Sequence, residues 1–348
     1  MNWIKLGNLI ENLNERNKDL KVAVLLGGNL KKEFIPSIAN IVGTDLSTYK
    51  IVRKGQFACK LMSVGRDGIL PIGYLTDYDE AIVSSAYFAF KVKDESVVLP
   101  EYLMLCFRRS EFDRELWFKS GGDVRGGSTW EDLCEIEVPI PTLLEQKNIV
   151  NSYNDIERRI ALKRKINDNL EATLTAVFAG IFSAAEATEQ TKLSELMTFG
   201  NGKSRPKTDG TIPVYGGNGV LSYTDQYNIE NAILIGRVGA YCGSVYLEQG
   251  ICWVSDNAIF AKSKVSTDEF FDYFLLKSLN LFNHHVGTGQ QLLTQEILNN
   301  IEVAKPDYEQ IEIFNEKAKA AYESIMDNKS EIIRLQELSD LLLSRLVG

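Results

Sequence analysis

Apolar residues recur at alternating steps of four and three along two stretches of the chain. The first stretch carries this pattern at Ile149, Tyr153, Ile156, Ile160, Lys163, Asn167, Leu170, Leu174, Val177 and Ile181. The second carries it at Phe314, Ala318, Ala321, Ile325, Asn328, Ile332, Leu335, Ser339, Leu342 and Leu346. This spacing is the heptad repeat of a coiled coil and predicts two long helices. Because an apolar stripe of this length is unstable in water, we expect the helices to pair with each other. The alternative is that each packs on its own globular domain.

An internal repeat contains both helical stretches. Residues 129–141 read TWEDLCEIEVPIP and residues 294–306 read TQEILNNIEVAKP, which share the skeleton T-x-E-x-L-x-x-I-E-V-x-x-P at an offset of 165. The two heptad patterns keep the same offset, and polar residues (Lys163, Asn167 and Asn328) interrupt both near the middle. Self-similarity of this kind is typical of a tandem duplication.

Short β-rich runs separated by glycine turns occupy residues 50–95 and 211–262, one set in each copy. The patterns together predict an α+β fold in which a β-rich domain followed by a long helix occurs twice. We predict a first domain at 1–143, its helix at 144–184, a second domain at 185–307 and its helix at 308–348.

Composition and charge exclude several classes of protein. The formal net charge of −9 argues against a protein that coats nucleic acid without sequence preference. The five cysteines include no CxxC pair, and the only two histidines, His284 and His285, are adjacent, so we expect neither a disulfide framework nor a metal site. No apolar run approaches the ~18 residues of a membrane span, and the first residues lack the layout of a signal peptide. We expect a soluble cytoplasmic protein.

The motifs that resemble catalytic ones are incomplete. Gly202-Lys203-Ser204 is similar to the end of a phosphate-binding loop, but Met197 stands where that motif needs its first glycine. The glycines of 216–219 and 236–239 do not complete a dinucleotide-binding fingerprint. Asp307 lies at the entry to a predicted helix, which is the wrong element for the metal-binding strand of a nuclease. The sequence therefore predicts no catalytic residue.

Glycine-rich loops that combine cations with amides are the remaining candidates for function. Glycine lets a backbone approach a surface closely, Arg pairs with guanine edges, Gln pairs with adenine edges, and Lys contacts phosphate. Any one such loop could be ordinary surface, but loops of this kind occur in both copies. The predicted DNA-contacting residues are Lys60, Arg66, Arg125, Lys203, Arg205, Arg237, Gln290 and Gln291.

The duplicated motifs resemble the specificity subunit of a Type I restriction–modification system. Residues 136–141 (IEVPIP) precede Glu145-Gln146, and residues 301–306 (IEVAKP) precede Glu309-Gln310; each motif leads into a predicted helix. Further similar stretches are 64–68 (VGRDG), 124–127 (VRGG), 213–219 (PVYGGNG) and 235–241 (IGRVGAY). The resemblance covers essentially the whole chain, although Ala304-Lys305 replaces the Pro139-Ile140 of the first copy.

This resemblance implies a DNA reader without catalytic residues. Each β-rich domain would be a target-recognition domain for one half of a bipartite, asymmetric DNA sequence. The helices would form an antiparallel coiled coil that separates the domains with pseudo-twofold symmetry. The implied partners are double-stranded DNA and two modification subunits, which carry S-adenosylmethionine and methylate adenine. Restriction subunits that use ATP and Mg²⁺ would join them in some systems, and the chain itself is expected to hold no cofactor.

Two alternatives stay open at this point. A stand-alone methyltransferase or nuclease would bind its own cofactor or metal, for which the sequence offers no motif. A coiled-coil adaptor without a nucleic-acid role would have no affinity for duplex DNA and no need of duplicated β-rich domains.

Overall fold

The chain folds into two compact units. One consists of Met1–Leu162 with Ile332–Gly348, and the other of Lys163–Glu331. The computed structural model describes residues 2–37, 43–119, 127–184, 189–287, 289–305 and 307–347. Each unit contains a globular domain and part of each of two long helices. Within the described ranges, no helix is long and apolar enough to cross a membrane.

The first unit combines small antiparallel sheets with helices. Its helices are α1 (Leu6–Leu9), α2 (Val64–Asp67), α3 (Pro100–Arg108), α4 (Ser110–Lys119), α5 (Trp130–Cys134) and the beginning of α6 (Leu143–Ala184). Its strands are β1 (Asn2–Lys5), β2 (Ile10–Leu13), β3 (Leu26–Gly28), β4 (Phe34–Pro36), β5 (Lys50–Arg53), β6 (Phe57–Cys59), β7 (Ile72–Tyr74), β8 (Glu80–Val83), β9 (Phe88–Val92) and β10 (Glu137–Ile140). A four-stranded sheet has the order β2-β9-β6-β7, and the two-stranded sheets are β1-β10, β3-β4 and β5-β8.

The core of the first unit forms where the four-stranded sheet meets α3. Phe57 and Phe90 lie opposite each other on β6 and β9, and their rings stack with centroids 5.0 Å apart. Phe107 of α3 meets both rings edge-on. Tyr153 of α6 and Leu346, near the end of the chain, belong to the same buried cluster. The long helices therefore complete this core.

The second unit contains one larger sheet. Its helices are the end of α6, α7 (Leu193–Leu196), α8 (Glu269–Ser278), α9 (Gln295–Asn300) and the beginning of α10 (Tyr308–Ser344). Its strands are β11 (Gln190–Lys192), β12 (Met197–Asn201), β13 (Ile212–Gly216), β14 (Gly219–Thr224), β15 (Ile229–Gly236), β16 (Val245–Val254), β17 (Ala258–Ser263) and β18 (Glu302–Ala304). The six-stranded sheet has the order β12-β17-β15-β16-β13-β14, and only its β13–β16 pair is parallel.

Aromatic rings join the long helices to the core of the second unit. Phe178 of α6 lies 5.2 Å from Phe271 of α8 and 5.5 Å from Phe314 of α10, measured between ring centroids. Phe274 of α8 is 5.3 Å from Phe314. Because each buried aromatic ring contributes roughly 1.5–3 kcal/mol through its burial, this cluster is a major source of stability for the unit.

The internal repeat is visible in the backbone contacts. β1 pairs antiparallel with β10, and β11 pairs antiparallel with β18. The Leu6 amide donates to the Ile136 carbonyl at 2.8 Å, and the Leu193 amide donates to the Ile301 carbonyl at 3.0 Å. These residues stand at equivalent positions of the two copies, so the duplication is present in the structure as well as in the sequence.

The threonine that opens each repeat motif caps a short helix. Thr129 accepts a hydrogen bond from the Asp132 amide, and the Asp132 carboxylate accepts one from the Thr129 amide. Thr294 accepts from the Ile297 amide at the start of α9. A threonine at this position satisfies an amide that the first turn of a helix leaves without a partner, which explains why both copies carry it.

The two long helices pair antiparallel within each unit. In the first unit, Ser339 of α10 donates to Glu157 of α6 at 3.2 Å, while Leu346 joins the cluster that contains Tyr153. In the second unit, α6 residues further along the chain contact earlier residues of α10, as the Phe178–Phe314 contact shows. Residue numbers thus fall along one helix as they rise along the other.

The heptad positions lie in the interior of this pairing. Buried members are Tyr153, Ile160, Leu174, Phe314, Ala318, Ile325, Ile332, Ser339 and Leu346. Half-buried members are Ile149, Ile156, Lys163, Asn167, Leu170, Val177, Ile181, Ala321, Asn328, Leu335 and Leu342. The buried residues Phe178 and Tyr322 lie outside the alternating pattern, because the long helices also pack against α8.

Four polar side chains bond to one another in the middle of the helix pair. The Lys163 ammonium lies 2.6 Å from the Glu331 carboxylate and donates to Asn328 Oδ1 at 2.9 Å. Asn328 Nδ2 donates to Asn167 Oδ1 at 2.8 Å. We call Lys163, Asn167, Asn328 and Glu331 the polar layer; all four belong to the second unit.

One carboxyl group of the second unit is buried. Asp272 of α8 is 2% exposed. Its burial raises the pKa of this carboxyl to about 7, and the neighbouring charges of Asp268 and Glu269 add to the effect. The pKa of Asp272 is higher in the folded chain than in the unfolded chain. Its carboxyl therefore stabilises the folded state most below about pH 4, where it is protonated in both states, and this contribution is lost as the pH rises through about 7.

Replacing Phe314 with alanine should lower the free energy of unfolding by about 3–5 kcal/mol, because the ring is fully buried among three others. Urea denaturation of the full chain measures this change. Met326→Ala on the same helix is the control, since Met326 is 45% exposed and its loss should cost no more than about 0.5 kcal/mol. Equal effects of the two substitutions would contradict the packing described.

Replacing Asp272 with asparagine should remove most of the pH dependence that this carboxyl causes. The stability advantage of Asp272→Asn over the wild type should grow between about pH 4 and pH 7 and reach at most about 4 kcal/mol at pH 8. Unfolding curves at pH 5, 6, 7 and 8 test this expectation. The exposed Asp340→Asn serves as control, and a constant difference between wild type and Asp272→Asn at every pH would speak against a buried neutral carboxyl.

Candidate nucleic-acid interface

Loops from distant parts of the sequence meet at one edge of the second domain. The Lys203 amide donates to the Val254 carbonyl at 2.9 Å, and the Arg237 amide donates to the Asn257 carbonyl at 3.0 Å. These bonds join the loops that follow β12, β15 and β16. The Lys203 loop and the Arg237 loop therefore belong to one surface.

The segment before α9 joins the same surface. The Gly239 amide donates to the Gln291 carbonyl at 3.1 Å, and the Leu293 amide donates to the Arg237 carbonyl at 2.9 Å. Lys203, Arg237 and Gln291, which the sequence analysis selected separately, thus lie on loops that are directly bonded. We call residues 202–207, 236–243, 255–257 and 289–293 the second-domain loop cluster.

Close backbone approaches explain two of its glycines. A Cβ atom at Gly202 would lie 2.0 Å from the Ser255 carbonyl oxygen, and one at Gly236 would lie 2.1 Å from the Tyr241 carbonyl oxygen. Neither carbonyl can move away without breaking the backbone hydrogen bonds that it accepts. A side chain at Gly202 would therefore separate two loops, and one at Gly236 would distort the turn of its own loop.

Two buried polar atoms of this cluster have no hydrogen-bond partner among the described residues. They are Nε of Arg237 and Oγ of Ser255, whose side chain is 2% exposed. The Arg237 guanidinium makes one long bond, from Nη1 to the Asp256 carbonyl at 3.4 Å. Because buried polar atoms in folded proteins are nearly always bonded, the cluster has hydrogen-bonding capacity left for a ligand or for water.

The other predicted residues of the second domain lie beside these. Arg205 is exposed two residues after Lys203, and Gln290 is exposed next to the half-buried Gln291. Two further exposed residues of the cluster are not among those predicted from the sequence: Tyr241, which is 52% exposed in the Arg237 loop, and Asn257. An aromatic side chain within a glycine-rich loop was the available signal for Tyr241.

The first domain has an equivalent arrangement. The Ser128 amide donates to the Leu61 carbonyl at 3.3 Å, which repeats the bond from Leu293 to Arg237 in the second domain. The Lys60 amide donates to the Pro71 carbonyl at 2.9 Å, so the half-buried Lys60 is fixed through its backbone. The same two segments are thus bonded in both copies.

Arg66 is held by its neighbour in the sequence. Its Nε and Nη2 atoms donate to the two carboxylate oxygens of Asp67 at 2.8 and 2.7 Å. This pair raises the pKa of Arg66 and lowers that of Asp67. The Arg66 side chain is 74% exposed, and the bonds to Asp67 use only Nε and Nη2, so the Nη1 hydrogens of the guanidinium remain available to a base. The predicted Arg125 lies outside the described residues.

A buried ion pair supports the segment that carries Arg66. Lys32 Nζ lies 2.7 Å from Asp113 Oδ2 and donates to the Phe107 carbonyl, and the Leu70 amide donates to Asp113 Oδ1 at 3.0 Å. Burial lowers the pKa of Lys32 and raises that of Asp113, while their mutual attraction opposes both shifts. The pair ties β3–β4 and α4 to the chain that follows α2.

One large cavity of the second unit has the wrong charge for DNA. It measures about 850 Å³, and its lining includes Asp268, Glu269, Glu312, Glu316 and Asp327. Carboxylates repel phosphate, so this surface is an unsuitable nucleic-acid interface. Among the described residues, no group of three or more His, Cys, Asp or Glu side chains has an arrangement that could hold a metal ion.

Comparison with known proteins agrees with this architecture. The family model of the Type I restriction modification DNA specificity domain matches residues 32–172 and 186–336. The Type I restriction enzyme MjaIX specificity subunit of Methanocaldococcus jannaschii is 22% identical over 357 residues, covering 85% of this chain and 80% of that protein.

Solved structures share the fold. The S subunit of the Type-I restriction-modification system from M. genitalium has a TM-score of 0.60 at 16% identity, covering 99% of this chain and 96% of that one. A chain from a structure on the assembly and conformational transition of the type I R-M system has a TM-score of 0.52 at 18% identity, with coverages of 99% and 97%. These likenesses confirm the predicted α+β fold class.

The family model matches twice, once on each copy of the internal repeat, and the two matches together span well over half of the chain. The chain therefore belongs to the Type I restriction modification DNA specificity family.

Proposed function

We propose that this chain is a specificity subunit that reads a bipartite, asymmetric DNA sequence, one half with each domain. The observation that carries the proposal is the second-domain loop cluster, where cations, amides and unpartnered buried polar atoms come together. The bonded segments around Leu61 and Ser128 support an equivalent role for the first domain. Two related but different loop surfaces favour two different half-sites.

Catalysis belongs to partner subunits in this proposal. Two modification subunits supply S-adenosylmethionine and methylate adenine in each half-site, and restriction subunits that use ATP and Mg²⁺ join them in some systems. The chain acts in the cytoplasm, where these partners and the DNA are found. The net charge of −9 is compatible with this division of labour, because the partners can supply phosphate contacts.

The proposed domain limits are 1–143 and 185–307 for the recognition domains and 144–184 and 308–348 for the helices. The contacts proposed for DNA are those of Lys60, Arg66, Arg125, Lys203, Arg205, Arg237, Gln290 and Gln291. A stand-alone enzyme and a simple coiled-coil adaptor are less favoured, because neither accounts for the family membership or for the paired loop surfaces.

The purified chain should neither methylate nor cleave DNA on its own, whereas addition of its modification subunit should produce adenine methylation in a split target. Modification mapping by sequencing of treated plasmid DNA identifies the target. The modification subunit without this chain is the control. Methylation by the chain alone would contradict the proposal.

Arg237→Ala should relax the preference at one base pair of one half-site, at a cost of about 1–3 kcal/mol. Lys203→Ala should instead weaken binding to all sequences alike and reduce the salt dependence by about one phosphate contact. Arg237→Lys is the matched control, because it keeps the charge and loses the planar fork. Binding titrations of the assembled complex at several salt concentrations measure both effects. Unchanged affinity and unchanged sequence preference in all three variants would exclude these residues from the interface.

A further inference from the structure

The two long helices share one heptad register but differ in the polar layer. At the repeat offset of 165, Asn328 is the counterpart of Lys163, and Glu331 is the counterpart of Ile166. Most of the remaining heptad positions are apolar in both helices. An apolar stripe alone distinguishes poorly between an unlike helix and a like helix from a second copy of the chain.

Each bond described within the polar layer joins α6 to α10. Lys163 has a side chain that is 17% exposed, and its ammonium lies 2.6 Å from Glu331 and 2.9 Å from Asn328. A shielded ammonium of this kind is costly unless an acid and hydrogen-bond acceptors surround it. Both α6 and α10 must therefore contribute for the layer to be satisfied.

The antiparallel register shows what a like pairing would contain. If α6 paired with the α6 of another copy, Lys163 would meet a second Lys163 where Asn328 now lies, and Ile166 would occupy the place of Glu331. If α10 paired with another α10, Glu331 would meet Asn328 and no lysine. Pairing of α6 with α6 would bring two lysines together without an acid, and pairing of α10 with α10 would bring two glutamates together without a lysine.

We propose that the polar layer is a pairing determinant, which selects the unlike helix and disfavours association with the like helix of a second copy of this chain. Its effect is to keep two different domains in one assembly rather than two copies of the same domain. The proposal concerns the pairing of helices and does not rest on the DNA-reading function.

Full-length variants can create a like pairing inside one chain. Asn328→Lys with Glu331→Ile gives both helices the lysine and isoleucine of α6 at these two positions, and Lys163→Asn with Ile166→Glu gives both helices the asparagine and glutamate of α10 there. The exchange variant carries all four substitutions. It should restore the lysine–glutamate pair and the lysine–asparagine bond between unlike helices, because positions 166 and 328 are related by the repeat in the same way as 163 and 331. Asn167, whose counterpart is Ile332, is the same in every variant. Ile166 is 39% exposed, so a glutamate there keeps part of its hydration, as Glu331 does at 32%.

Each like-layer variant should raise the unfolding equilibrium constant at least about fivefold, and the exchange variant should return to within about threefold of the wild type. Urea unfolding followed by circular dichroism measures all three. Lys317→Asn with Ala320→Glu is the matched control. It makes the same change of charge as Lys163→Asn with Ile166→Glu, at the same spacing, on two exposed residues of α10. It should leave the constant within about twofold of the wild type.

The decisive comparison is between the stability of the exchange variant and the summed effects of the two like-layer variants. If the exchange variant is as unstable as the combined effects of the two like-layer variants, the layer does not act as a pair of matched halves and the proposal is wrong. Like-layer variants as stable as the wild type would also overturn it. If the like-layer variants yield no folded protein, recovery of a wild-type unfolding curve by the exchange variant still supports the proposal, and its failure to fold refutes it.

Discussion

Burial of the heptad seam is the interaction on which each unit depends. The strands of the first domain are only three to five residues long, and neither core is closed by its own domain alone. In the first unit Tyr153 and Leu346 complete the cluster around Phe57, and in the second unit Phe178 and Phe314 complete the cluster around Phe274. Separation of the helices would therefore expose the interior of a domain as well as the seam. This coupling makes the helix pair a part of each fold rather than an appendage.

The loops of the candidate interface are held together by a different interaction. The loops that carry Lys203 and Arg237 are connected through backbone hydrogen bonds, so their side chains are not needed to hold the loops together. Glycines at 202 and 236 permit this close contact because their neighbours approach within the space of a side chain. A surface built in this way can carry different side chains without a change in its backbone.

The sequence predicted what depends on regular spacing and on repetition. The heptad pattern located both long helices, and the offset of 165 revealed the duplication before any strand was known. The partner of Lys163 was missed because Glu331 stands outside the alternating heptad positions and is reached only once the antiparallel register is known. The attachment of Arg66 to Asp67 was foreseeable from their adjacency, whereas the buried carboxyl of Asp272 was not, since its burial depends on how α8 packs. The meeting of the loops at 203, 237 and 291 also needed the fold, because no local pattern brings together segments so far apart in the chain.

The pairing of β1 with β10, and of β11 with β18, has a consequence for the history of such chains. Asn2 lies opposite Ile140 and Gln190 lies opposite Ala304, so each domain begins and ends at neighbouring points. A domain with adjacent ends can be replaced as a cassette by recombination, provided that the incoming segment carries the same closing strand pair. The helices, with their own register and polar bonds, would be left as they are. The architecture thus allows one half of the molecule to acquire a new surface while the other half is inherited unchanged.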